Sequence, residues 1–350
     1  MKRTFIVVVS ILILTGCSIP ESQSTHIDYT FGVVETSSPR KYTRFRFYDI
    51  NGKEVATRKI SEAEVGSSFN TVCYKNNYAY FTNTGLQGKK NPKSVIRLKG
   101  NSTEVKAIRL PRINIGAVAA DDQYYYGVSN ANYCNYLTQM NAHQVKRREV
   151  KEQKRLSFMV AASHHKVFNF VAVDHDVTCD IYDQNLKLLK SIPLAKYGSN
   201  ILKYCLYKDK LYFSFSGENG FIARINMKTY KLAVMRTPYS YPDNIFVRNG
   251  KLYVTFYDVV LCQGNTVGVF DEKNMKFEKS YQLRYSPDMI DYHEKNAYVL
   301  TRDKKDRYSI SIVDYQNGFK VKKHFSLPYT KTKGYLIYYS TLFINPKLKS

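Results

Sequence analysis

Tryptophan is absent from this sequence of 350 residues, and glycine, proline and cysteine are sparse at 17, 10 and 6. No glycine-rich phosphate loop, no His-Glu-x-x-His pair and no nucleophile elbow is present, so the usual sequence marks of nucleotide, zinc-protease and hydrolase chemistry are missing. After Leu14 no stretch is apolar enough to cross a membrane. Acidic residues are few, 29 against 53 Lys and Arg, which leaves a net charge of +24. Such a charge predicts attraction to polyanions: anionic lipids, wall polymers, nucleic acid or acidic partners. Its densest run extends from Lys146-Arg147-Arg148 through Lys151, Lys154 and Arg155. Lys and Arg on an outermost strand also discourage edge-to-edge pairing, and that reading stands beside a binding patch.

What the chain has in abundance is tyrosine, 31 residues, a type suited to half-buried strand faces. The clearest unit is Asp243–Phe256: a short apolar strand, an Asn249-Gly250 turn, and a second strand centred on Tyr253. Weaker copies recur. Aligned on the second strand, the anchors are Tyr80, Tyr126, Phe168, Tyr212, Tyr253, Tyr298 and Phe343, spaced by 41 to 46 residues. Repeats of about 40–50 residues built from short strands are the pattern of β-propeller blades. Third strands end in Arg224–Asn226, Val269–Asp271 and Ile312–Asp314, and fourth strands in Leu110-Pro111, Ile192-Pro193, Thr237-Pro238 and Leu327-Pro328. Proline ends a strand cleanly because it donates nothing to a ladder.

The expected fold is therefore all-β: a seven-bladed propeller of four-stranded antiparallel blades. Six blades run from about Val65 to Pro328. The last is closed by both ends of the chain, which removes open edges. Tyr335–Asn345 is expected to supply its first two strands and Arg44–Ile60 its last two, while Phe31–Glu35 competes with Phe343 for the second-strand place.

The N-terminus has Lys2 and Arg3, an apolar run from Phe5 to Leu14, then Leu14-Thr15-Gly16-Cys17. These last four residues resemble the lipobox of bacterial lipoproteins at every position. The resemblance implies a signal peptide over 1–16, a diacylglycerol on Cys17 and a lipid-anchored tether over 17–26; the unbroken repeat gives a single propeller domain over 27–350. The lipobox resemblance also implies a cell-membrane location on the extracytoplasmic face.

Five cysteines remain, an odd number that cannot all pair internally: Cys73, Cys134, Cys179, Cys205 and Cys262. Cys73 and Cys205 fall at first-strand positions, as small buried apolar residues. Cys134, Cys179 and Cys262 fall in or beside the loops between second and third strands, where Cys134 and Cys179 could form a disulfide. Asp174-His175-Asp176 with Cys179 is the nearest approach to a metal motif, though its spacing matches no established site. A polar loop is the favoured reading, since adjacent strand residues alternate faces. His164-His165 and Asp121-Asp122 fall at turns on the opposite face, where polar residues are expected anyway. The loops entering each blade carry Arg112, Tyr197, Tyr239, Tyr241, Arg284, Tyr285, Tyr329 and Lys331. Tyrosine beside Lys or Arg offers stacking faces with positive charge, so these are the candidate ligand-binding residues around the channel mouth. Turn chemistry explains the same residues.

At Leu252–Phe256 and Ala297–Thr301 the chain looks like YVTN-type repeats of seven-bladed bacterial propellers, whose wider group includes lactonase-like and NHL-like members. Glycine is scarcer here, and the Trp docking motif of quinoprotein blades is missing. The resemblance implies a propeller and no particular activity. The expected function is a non-catalytic binding or scaffold module for an anionic envelope polymer or an extracytoplasmic protein, with no nucleic acid partner. No cofactor is expected beyond the lipid on Cys17, with a metal left open. The alternative is a metal-dependent hydrolase or lactonase-like enzyme using Asp174, Asp176, Glu218, Asp258 and Asp303.

Overall fold

The structure, a computed structural model, describes residues 25–38, 42–84, 94–141, 143, 145–174, 176–329 and 336–349. Three strands come first: β1 (Phe31–Ser38), β2 (Thr43–Tyr48) and β3 (Glu54–Ile60). Blade 1 holds β4 (Cys73–Lys75), β5 (Tyr78–Phe81), β6 (Ser94–Lys99) and β7 (Val105–Arg109). Blade 2 holds β8 (Ile115–Ala120), β9 (Tyr124–Ala131), β10 (Cys134–Asn141) and β11 (Lys146–Gln153). In blade 3 are β12 (Leu156–Ser163), β13 (Lys166–Val173), β14 (Asp176–Asp183) and β15 (Leu188–Pro193). Blade 4 follows with β16 (Ile201–Tyr207), β17 (Lys210–Phe215), β18 (Phe221–Asn226) and β19 (Leu232–Arg236). Blade 5 is β20 (Pro242–Arg248), β21 (Lys251–Asp258), β22 (Gln263–Asp271) and β23 (Phe277–Gln282). Blade 6 is β24 (Met289–His293), β25 (Asn296–Arg302), β26 (Tyr308–Asp314) and β27 (Lys320–Ser326). Finally β28 (Leu336–Ile344) pairs with β1, so blade 7 reads β28-β1-β2-β3.

All seven sheets are four-stranded and antiparallel, as the repeat predicts. The make-up of blade 7 corrects the expectation. The C-terminal segment supplies one strand and the N-terminal segment three. Leu336–Ile344 runs nine residues without a turn, so it forms a single strand. Phe31–Ser38 takes the contested second place, and Phe343 sits in a first strand opposite Gly32. Being flanked on both sides, β1 is buried along almost its whole length, including Glu35. That carboxylate is met by Arg44 at 3.0 Å and Arg46 at 2.8 Å.

First strands of neighbouring blades touch one another around the axis, as β8 does β12, β16 does β20 and β24 does β28. Burial falls outward: β10 is buried throughout, while β11 beside it is largely exposed. Lys146–Lys151 of the basic run thus lie on an outermost strand, and Lys154 and Arg155 follow in the loop to β12. Antiparallel order places the turns between first and second and between third and fourth strands on one face, here the turn face. The remaining connections form the loop face. Tight turns follow the local chemistry. Asn249-Gly250 takes φ of 48° and 69°, and His164-His165 takes 53° and 58°, both residues left-handed as a two-residue hairpin requires.

The core lies between blades. Phe168 and Phe170 of blade 3 pack with Leu211, Phe213 and Phe215 of blade 4. Phe246 stacks on Tyr253 at 4.8 Å and meets Tyr292 of blade 6 at 4.4 Å. Asn345 clasps the two ends of the chain. Its amide donates to Thr30 O at 2.9 Å, its side chain to Tyr29 O at 2.7 Å, and it accepts from the Asn101 amide at 3.1 Å.

Candidate functional site

Four consecutive first strands break register near the same level of the channel: β8 at Ile115/Ala117, β12 at Ser157/Met159, β16 at Ile201/Tyr204 and β20 at Pro242/Ile245. Bulges re-aim side chains and release backbone groups from the ladder. Blade 1 goes further. Between the Val65–Asn83 bridge and β4, residues 66–72 leave the first-strand path altogether. Gly66 makes the departure possible at φ +78°, where a Cβ would lie 2.1 Å from Thr341 Oγ1.

This segment crosses the channel. The Ser67 amide donates to Thr341 Oγ1 of blade 7 at 3.1 Å, and Asn70 Nδ2 donates to the bulged Gly116 O of blade 2 at 2.6 Å. Thr71 Oγ1 accepts the Tyr204 amide of blade 4 at 2.9 Å and donates to Tyr204 O at 3.3 Å. Blades 1 and 4 are not neighbours, so the segment is a plug tied to three other blades.

Between this plug and the turn face lies a cavity of about 840 Å3. That is within the ~300–1,000 Å3 usual for ligand pockets. Its walls are apolar or aromatic: Ala119, Ala162, Ile245, Phe246, Ile290 and Leu342, with Tyr74, Tyr204 and Tyr292. Its rim is charged. Lys75 pairs with Asp122 at 2.8 Å, and Lys228 with Asp209 at 2.8 Å. His164 Nε2 lies 3.0 Å from the same Asp209. Lys349 reaches back to Asp291 at 2.5 Å and lies over the Tyr292 ring at 3.9 Å. Hydrogen bonds from the lysines hold the Asp122 and Asp209 carboxyls below the usual range.

Cys73 and Cys205 stand opposite Tyr80 and Tyr212, as expected of first-strand residues, and both line the cavity. Burial pushes the Cys73 thiol up to about 12 and the Cys205 thiol up to about 11, so both stay protonated and weakly nucleophilic at neutral pH. At the inner end of the cavity Lys203 makes a buried ion pair with Asp243 at 2.9 Å. Asp243 Oδ2 also accepts from Asn244 at 2.6 Å, while Oδ1 has no partner among the described residues. Burial raises the Asp243 carboxyl, with Lys203 opposing. It raises Asp288 as well, helped by the Asp243 charge and opposed by Lys203 and Arg302.

The described loop-ring residues lie on the loop face and none of them lines this cavity. Arg112 chelates Glu149 at 2.5 Å and stacks on Tyr136 at 4.0 Å. Tyr197 packs on Phe215 and Phe221. Tyr239 leans on Phe256 and reaches Ser280 Oγ at 2.9 Å. Tyr241 is left-handed, and its backbone ties Gly217 to Tyr257. Tyr285 stacks on His324 at 4.0 Å with Arg284 beside it. Tyr329 is exposed, and Lys331 lies outside the described residues. Each described member but Tyr329 is engaged by its own blade or the next.

Asp174 and Asp176 are exposed at a turn, while Cys179 is fully buried in β14 against the blade 4 core; His175 lies outside the described residues. Among the described residues no three His, Cys, Asp or Glu converge as a metal site. Cys73, Cys134, Cys179, Cys205 and Cys262 are free thiols. Asp121-Asp122 and His164-His165, read from sequence as turn residues only, stand at the cavity mouth. The signal for the plug was Gly66-Ser67-Ser68, a loop-like run where blade 1 needed a strand.

No protein-family model matches the chain, and no curated protein matches it in sequence. Similarity is found in solved folds, 854 chains, too many to single out a function. One is "Dihydro-heme d1 dehydrogenase NirN in complex with DHE", with TM-score 0.58 and 14% identity over 88% of this chain. This chain covers 66% of that one, a little under two thirds. Another is a chain of a nidogen/laminin complex, TM-score 0.48 and 12% identity, over 73% of this chain and 96% of that one. At such identities the likeness concerns the fold alone: the chain is a seven-bladed β-propeller.

Proposed function

We propose that this protein is a lipid-anchored, extracytoplasmic binding module, held at the membrane through Cys17, whose central cavity receives part of an anionic envelope polymer. The observation that carries the reading is the plugged channel. A cavity crossed at one end by the plug, with tyrosine and aliphatic walls and a rim of Lys75, Lys166, Lys228 and Lys349 beside Asp122, Asp209 and Asp291, suits a group that carries negative charge on a less polar body and takes the lysines in place of those carboxylates. The net charge of +24 adds long-range attraction that weakens with salt. A metal-dependent hydrolase is less favoured. Asp258 caps the amides of Val260 and Leu261, Asp303 takes Arg307, and Asp174 and Asp176 face solvent, so these carboxylates serve separate turns.

The test is binding of soluble residues 18–350 to purified envelopes, with and without wall polymer, over a salt series. Salt-sensitive binding that disappears on stripping and weakens in Lys75→Glu and Lys228→Glu supports the reading. Binding indifferent to salt, stripping and both variants overturns it in favour of a protein partner.

A further inference from the structure

The plug lies across the channel on the loop-face side, so among the described residues the cavity opens on the turn face. The described chain also begins there. Thr25 O accepts the Thr103 amide at 3.1 Å, and the Ile27 amide donates to Asn101 O at 3.1 Å, both in the turn between β6 and β7. The first described residue is therefore bound to a turn-face loop. Between Cys17 and Thr25 there are eight residue steps. Fully extended, they reach about 26–29 Å. An eight-residue strand such as β13 is itself about 26 Å long. A tether leaving the turn face would be used up in climbing the side of the ring. It cannot bring the loop face to the membrane.

The turn face also carries the positive charge that a membrane contact needs. Lys208, Lys231, Lys273, Lys276 and Lys295 are exposed on turn-face loops of blades 4, 5 and 6, a continuous arc of the ring. Exposed acids among the turn-face loops include Asp122, which Lys75 pairs, and Glu294 beside Lys295. Lysines within a Debye length of an anionic leaflet are attracted to it, and one lipid anchor plus a basic patch holds a protein more firmly than the anchor alone.

We infer that the turn face docks on anionic lipid head groups, with the cavity mouth toward the membrane. This inference rests on the lipid-anchored reading above and sharpens it. The cavity is then offered to the leaflet surface, and the polymer it takes is one carried there on a lipid.

Full-length protein in vesicles of phosphatidylcholine, with or without phosphatidylglycerol, tests this by lysine acylation read by mass spectrometry. On anionic vesicles Lys231, Lys273, Lys276 and Lys295 should lose reactivity at least about threefold and regain it in high salt. Lys154, Lys196, Lys304 and Lys305, exposed on the loop face, should not change. The triple variant K231E/K273E/K276E should melt like the parent and lose the protection at Lys295. Flotation and the mass of the Cys17 peptide report the anchor separately. Protein that is unacylated and does not float overturns the anchored reading and this one with it. Acylated, floating protein with equal protection on both faces, or with protection on the loop face, overturns this inference alone.

Discussion

Thr71 and Tyr204 are 133 residues apart in sequence and meet across the channel, where the hydroxyl of one both accepts from and donates to the backbone of the other. The bulge in β16 frees the Tyr204 amide from its ladder, and Thr71 satisfies it. Replacing Thr71 by Val leaves a part-buried amide without its acceptor, which costs about 1–3 kcal/mol. Urea unfolding should show that loss, Thr71→Ser should recover most of it, and exchange at the Tyr204 amide should quicken. An unchanged midpoint in Thr71→Val would show that the plug is not held by this contact.

Gly66 is the hinge of the same plug. Gly66→Ala places a Cβ 2.1 Å from Thr341 Oγ1 at a φ of +78°. The expected loss is about 1–3 kcal/mol, accompanied by faster exchange over residues 67–72. Gly250→Ala is a useful comparison, since its Cβ meets nothing within 4 Å although its φ is +69°. It should cost less.

Asn345 joins Thr30, Tyr29 and Asn101, and so links the C-terminal strand to the N-terminal segment and to blade 1. Asn345→Ala should lower stability by about 1–3 kcal/mol for the buried groups left unpaired. Thermal melting and limited proteolysis near Thr25 would both register it. Asn345→Asp keeps the acceptor and loses the donor, and should fall between the two.

Asp288 is half-buried, and among the described residues no donor bonds its carboxylate. Burial raises its folded pKa above the unfolded value. A raised carboxyl contributes stability at low pH, and that contribution is lost as pH rises through the folded pKa. Asp288→Asn removes the cost of keeping a charge there. The variant should therefore be more stable than the parent at pH 7, with the difference shrinking as the pH falls toward the ordinary carboxylate range. A variant less stable than the parent at neutral pH would mean that the attraction of Lys203 and Arg302 outweighs desolvation.

The thiols should react in the order of their exposure. Cys262 is half-buried in a loop, whereas Cys179 is fully buried, and burial raises its thiol well above the usual range. Iodoacetamide at pH 7.5 should label Cys262 in the native protein and Cys179 only after unfolding, read by peptide mass. Cys73, held up to about 12, should stay slow although it lines the cavity.

Local chemistry made the blades legible. Asn249-Gly250, the alternation around Tyr253 and the prolines after fourth strands all act within a few residues, so each copy declares itself without the rest of the ring. Cys73 and Cys205 were placed correctly because strand pairing keeps a fixed offset from the anchor. Phe343 was misplaced because its segment has strand character in either slot, and only pairing with Phe31–Ser38 chose between them.

The candidate site was not legible in the same way. Tyr197, Tyr239 and Tyr285 look available in sequence, yet each packs on an aromatic ring of its own or a neighbouring blade, and such contacts have no signature in spacing. Strand periodicity determined the seven-fold ring and which turns share a face, because hydrogen-bond ladders and hairpins are local and repeat. Tertiary structure alone decided where the channel closes. That depended on Thr71 reaching Tyr204 and Gly66 fitting beneath Thr341, contacts between distant parts of the chain that no local rule encodes.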